Sequence, residues 1–178
     1  MRHSTLAILM TICASPTVLA AGSAVDVTSR LDSSRLSLSQ GIAQSEKEHG
    51  KAISAKFEMK GDVLMLSVYT AKAGLGRDAE HNELLELIGD STQARWNPEI
   101  EVFADAEHLK RSAMQLTLVQ SSRISLAEAV DKAQRSVQGK VYSAIPAVAG
   151  GAPMYDILVA MPDGSSKHVS VNGNTGSV

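Results

Sequence analysis

The sequence predicts an α+β fold: two units, each one helix packed on a small antiparallel sheet, the first enlarged by a helical insert. Three observations predict it. Apolar residues make up 44% of the 178 residues and aromatic residues only 3%, so the chain can fill a core and must fill it with aliphatic side chains. A segment occurs twice, once on each side of a dissimilar stretch. Within each copy the apolar period changes from helical to alternating, the mark of a helix followed by half-buried strands.

Composition also excludes classes of function. The chain carries 17 Lys+Arg against 19 Asp+Glu, a formal net charge of −2. A nucleic-acid partner needs a basic surface that displaces counterions from phosphates, and an anionic membrane needs a polybasic run; neither is present. Cys13 is the single cysteine, which excludes a disulfide framework and a thiolate metal cluster.

Residues 1–24 read as a secretory signal. Arg2 supplies the positive start, Leu6–Ala14 the apolar stretch, and Val18-Leu19-Ala20 and Gly22-Ser23-Ala24 two small-x-small cleavage points. The apolar stretch is shorter than the roughly 20 residues that cross a bilayer. Ile12 before Cys13 is too large for a lipoprotein signal, so cleavage removes the thiol. The expected product is periplasmic or secreted, with no transmembrane segment. Residues 25–35 read as a linker.

The first unit spans 36–120. Ser37 and Gln40 form a capping box that starts a helix at Leu38, and Gly50 supplies a left-handed stop. Ile53, Ala55, Phe57 and Met59 alternate with Ser54, Lys56, Glu58 and Lys60 in a strand with one wet face. Gly61-Asp62 is a turn, after which Leu64, Leu66 and Val68 point one way and Met65, Ser67 and Tyr69 the other. Residues 71–115 read as the helical insert, with a last strand at Leu116–Val119. Trp96, just before Asn97-Pro98, pins that insert.

The second unit spans 121–178. Ser125 and Glu128 repeat the capping box, and Leu126, Ala129, Val130, Ala133 and Val137 make one apolar stripe. Gly139 repeats the left-handed stop. Gly139-Lys140-Val141-Tyr142-Ser143-Ala144 matches Gly50-Lys51-Ala52-Ile53-Ser54-Ala55, with one residue added in the second copy between cap and glycine. Pro146 confines its strand to an edge or a bulge. Tyr155, Ile157 and Val159 form the next strand, Pro162-Asp163-Gly164 a turn, Val169 and Val171 a third strand, and Asn172–Gly176 a further turn. Tyr142 and Tyr155 are expected to pack under the second helix.

These residues resemble the PepSY family. The resemblance is carried by Ile124-Ser125-Leu126-x-Glu128-Ala129-Val130, Gly139-Lys140-Val141-x-Ser143-Ala144, Tyr155-x-Ile157-x-Val159, Asp163-Gly164 and Thr175-Gly176-x-Val178. It covers Ile124–Val178 well and residues 36–70 more weakly. The family usually has an acidic residue before the Thr-Gly turn, where this chain has Asn172 and Asn174. The resemblance implies a non-catalytic exported module that binds proteins or peptides, with a role in restraining peptidase activity, and no cofactor.

No catalytic signature is present: neither a Gly-x-Ser-x-Gly elbow nor a His-Glu-x-x-His helix. Gly74-Leu75-Gly76-Arg77-Asp78-Ala79 matches a loose dinucleotide spacing, but hairpin-linked strands lack the parallel units such a fold needs, so it reads as a turn. The partner is expected on the sheet face turned away from the helices, at Met65, Tyr69 and Leu158. The alternative is that the two copies pack on one another and bury that face. A second class of function rests on a doubled tetrapeptide, Asp78-Ala79-Glu80-His81 and Asp105-Ala106-Glu107-His108. Asp78, His81, Asp105 and His108 offer oxygen and imidazole at helical spacing to a divalent metal, or else simply cap two helices. His49 and His168 read as solvated.

Overall fold

The computed structural model describes residues 27–178. The expected signal segment, its cleavage points and the first two residues of the expected linker lie outside the described residues.

Helices α1 (Leu38–Glu48) and α3 (Leu126–Ser136) each begin at a complete capping box. Ser37 and Ser125 accept from the amides of Gln40 and Glu128, whose side chains accept in return from the amides of Ser37 and Ser125. After α1 come β1 (Lys51–Lys60), β2 (Val63–Ala71), β3 (Leu84–Asp90) and β4 (Glu99–Val102). Helix α2 (Ala106–Ser121) follows, and after α3 come β5 (Lys140–Ala149), β6 (Ala152–Ala160) and β7 (Ser166–Asn172). No described helix is long and apolar enough to cross a membrane.

The strands make one antiparallel sheet in the order β4-β3-β2-β1-β5-β6-β7. The fold is therefore α+β, but the two expected units do not own separate sheets. They join edge to edge where Ala55 faces Ala144 and Lys56 faces Ser143. The repeat is visible in this geometry. Each first strand carries a bulge at the same place, between Ala52 and Ser54 and between Val141 and Ser143. The short β1–β5 ladder also explains Pro146: it lies beyond the last β1 partner, so its missing amide breaks no ladder bond there.

Helices α1 and α3 cover one face. Leu38, Gly41 and Ile42 of α1 pack above Leu66, and Leu126, Ala129, Val130 and Ala133 of α3 pack above Tyr155, Ile157 and Val171. Each fully buried Leu, Ile or Val here contributes about 1.5–3 kcal/mol. Tyr155 sits under α3 as expected and donates to the carbonyl of Ile124 at 2.8 Å. Tyr142 does not; it occupies the bulge and its hydroxyl meets that of Ser166 at 2.7 Å.

Several expectations need correction. The stretch 71–115 is not a helical insert: it holds β3, β4 and a single 3-10 turn at Ala79–His81, and helix begins only at Ala106. Leu84–Asp90 finds β2 as a hydrogen-bonding neighbour, and tertiary pairing overrides its leucine-rich helix preference. Leu116–Val119 is not a strand but the last turns of α2, with Ser112, Gln115, Leu116 and Val119 on its buried stripe. Residues 27–35 do not form a linker. They hold a helical turn at 27–30 and a 3-10 turn at Leu31–Ser33, bury Val27 and Leu31, and bond Arg35 to Ser91 at 2.8 Å. Gly50 takes the left-handed conformation at φ 89°, but Gly139 does not. The turns at Gly61 and Gly164 form as read, and Asn172 closes the last turn by accepting from the amides of Asn174 and Thr175.

Candidate docking surface

Strand alternation decides what each face offers. Leu64, Leu66 and Val68 face α1, so Met65, Ser67 and Tyr69 face the opposite side, as read from the sequence. Leu158 shares that side through its partner Ser143. The two halves do not stack to bury this face; α2 crosses part of it instead. Gln115 of α2 accepts from Ser54 at 2.8 Å, and Phe103, just before α2, stacks on Tyr69 with centroids 5.7 Å apart. Tyr69 is thereby partly covered and, like Met65 and Leu158, half-buried. Burial, then the nearby Glu86 carboxylate that accepts its hydroxyl, pushes its pKa far above the ordinary 10.0. Met65 and Leu158 remain half-buried, but the Lys56–Glu58 ion pair stands between them, with Ser67 donating to Glu58 at 2.8 Å. The three expected partner residues do not form one apolar patch.

The metal candidates are also kept apart. Asp78 accepts from the amide of His81 at 3.0 Å and from its Nδ1 at 2.7 Å; Asp105 does the same for His108. Each aspartate is a cap for its own turn or helix, and these bonds hold both carboxyls below their ordinary range. His108 stacks on Phe103 with centroids 5.3 Å apart. Among the described residues no three His, Cys, Asp or Glu side chains converge to hold a metal ion. The doubled tetrapeptide is thus a repeated capping device. His168 is exposed, as read, and its Nε2 lies 3.2 Å from Asp156, which also accepts from Ser170. Gly74–Asp78 is a turn-rich loop, as read, and Ala79 opens the 3-10 turn that Asp78 caps.

The surface that stands out was not singled out in the sequence. β4 is the last strand at one edge of the sheet and every residue in it is exposed. Ile100 and Val102 are 50% and 56% exposed. Their partners Leu87 and Leu85 are buried on the α1 face, so these two side chains extend that apolar face beyond its cover. Glu99 and Glu101 project from the other side, where Glu101 lies directly opposite Glu86. Beside Ile100 a groove of about 700 Å³ runs between α1 and the β3–β4 loop, lined by Ala43, Gln44, Lys47, Trp96 and Pro98. Trp96 anchors this loop: it is buried over Gly89, where an added Cβ would come within 2.7 Å of its Nε1, and its carbonyl accepts from Gln44 at 3.0 Å.

The backbone of β4 completes the surface. Phe103 donates its amide to Leu84 at 3.1 Å. Inward and outward residues alternate along an antiparallel ladder, so Glu101 and Glu99 bond toward β3 while Ile100 and Val102 turn their amides and carbonyls outward. The signal was present in the sequence as the alternation Glu99-Ile100-Glu101-Val102 after Pro98.

No protein-family model and no curated protein sequence matches the chain. Among solved structures, a proposed lipoprotein from Clostridium difficile 630 is similar, with 14% identity, a TM-score of 0.39, and coverage of 78% of this chain and 86% of that one. That similarity is too slight to carry a fold family or a role from one protein to the other.

Proposed function

We propose that this chain is an exported, non-catalytic binding and regulatory module of two PepSY-like repeats fused into one sheet, and that it holds a protein partner, such as a peptidase, at the β4 edge. The observation that carries the proposal is an exposed edge strand with outward backbone groups and two uncovered aliphatic side chains. An extended segment added there gains main-chain hydrogen bonds, while alternate side chains enter the apolar shelf beside the groove. Binding of this kind needs no reactive group and restrains an enzyme by occupying or covering its substrate cleft. The repeated helix, bulge and hairpin in both halves supports the family reading.

Export is tested by the mature N-terminus: processing predicts a chain beginning at residue 21 or 25, and an intact Met1 in the envelope fraction contradicts it. Docking is tested with a photo-crosslinking residue at Val102 and, as control, at Asp163 in the β6–β7 turn. A partner attached from position 102 alone, whose peptidase activity falls as the full chain is added, supports the proposal. Equal attachment from both positions overturns it.

A further inference from the structure

We infer that the β4 edge takes an extended basic segment in which Lys or Arg alternates with aliphatic residues; this rests on the docking reading above and gives its partner a chemistry. In antiparallel addition, residues opposite each other share a face. Partner residues opposite Ile100 and Val102 join the apolar shelf. Partner residues opposite Glu99 and Glu101 meet carboxylates. Among the described residues none of Glu86, Glu99 and Glu101 has an ion-pair partner within 4.0 Å. Glu86 and Glu101 are moreover direct cross-strand neighbours, an arrangement that repels and that an incoming cation relieves.

The same charges decide against a second copy of this chain. Charged residues on an edge strand are a common guard against edge-to-edge association. Antiparallel pairing of β4 with β4 sets the Glu99 and Glu101 carboxylates of the two copies side by side on one face. The guard, however, is one-sided in sign: it repels an acidic or identical strand and attracts a basic one, while Ile100 and Val102 stay open to either.

The test uses the full chain and three fluorescent heptapeptides. One alternates Lys and Val, one alternates Glu and Val, and one has the Lys–Val composition in two blocks. The alternating Lys–Val peptide is expected to bind about tenfold tighter than both others, within the range of two exposed cross-strand charge pairs. Glu99→Lys with Glu101→Lys is expected to reverse the preference toward Glu–Val. Ile100→Pro removes an outward amide, which an edge strand tolerates, so binding is lost while the thermal midpoint holds. Equal binding of block and alternating peptides, no reversal, or no binding of any peptide overturns the inference. If the peptides fail while position 102 still attaches a partner that is then restrained, the docking reading stands and only the peptide chemistry falls.

Discussion

Ala55 of β1 stands directly opposite Ala144 of β5, and the two are the same residue of the repeat, each five places after its glycine. Both are fully buried. The two halves therefore meet about a local twofold, and the residue at that meeting point is the smallest that keeps a side chain, under two neighbouring helices. Ala55→Val and Ala144→Val are each expected to lower stability by about 1–3 kcal/mol through overpacking. The double variant is expected to depart from additivity because the residues touch. Urea unfolding with an unchanged slope checks this; a neutral Ala55→Val contradicts it.

Gly50 and Gly139 hold equivalent positions for two reasons, only one of which they share. An added Cβ would lie 2.2 Å from the carbonyl oxygen of Ala71 at the first and 2.5 Å from that of Ala160 at the second. Close backbone approach thus requires glycine in both halves. Gly50 alone also has a positive φ. Gly50→Ala and Gly139→Ala should each cost about 1–3 kcal/mol, the former more because left-handed strain adds to the clash. Thermal unfolding of the pair decides the order.

That difference shows how far the sequence could be read. The capping boxes at Ser37 and Ser125 were legible because a cap is local: four residues contain all its partners. The repeat was legible by identity at 50–55 and 139–144. The bulges were not, since a bulge is defined by what stands opposite. The one-residue insertion before Gly139 was visible, but the φ that Gly139 takes depends on the whole loop. β3 was misread because Leu84-Leu85-Glu86-Leu87 has strong helix formers and only the presence of β2 makes it a strand. β4 alternates plainly but is four residues long, too short to weigh against a helical insert.

Thr70 is fully buried on the α1 face and its hydroxyl has no hydrogen-bond partner; the same holds for Ser45 of α1. A buried, unpaired hydroxyl costs roughly 1–3 kcal/mol of desolvation. Thr70→Val keeps the shape and removes the hydroxyl, so stability is expected to rise by about 1 kcal/mol. Ser45→Ala is expected to act in the same direction. A loss of stability in Thr70→Val shows that the hydroxyl is bonded in solution and contradicts the prediction. Thr70 lies outside β4 and outside the groove beside Ile100, so peptide binding should be unaltered in Thr70→Val.

Stability against pH should show a plateau bounded by two sets of groups. Hydrogen bonds hold the carboxyls of Asp78, Asp90, Asp105, Asp163 and Glu128 below their ordinary values of 3.8 and 4.5. The unfolded chain then binds protons before the folded one does, so this stability is present above about pH 4.5 and is lost as pH falls through the lowered values. Burial raises the hydroxyls of Tyr69 and Tyr155 above the ordinary 10.0, with the Glu86 carboxylate adding to the effect at Tyr69. Here the unfolded chain loses its protons first, so stability holds below pH 10 and falls as pH rises beyond it. Tyr69→Phe keeps the stack on Phe103 and removes the titrating hydroxyl. It should make the alkaline limb shallower, leaving the Tyr155 contribution and the acid limb in place. Thermal midpoints from pH 3 to 11 check both limbs; an unchanged alkaline limb in Tyr69→Phe means that another group sets it.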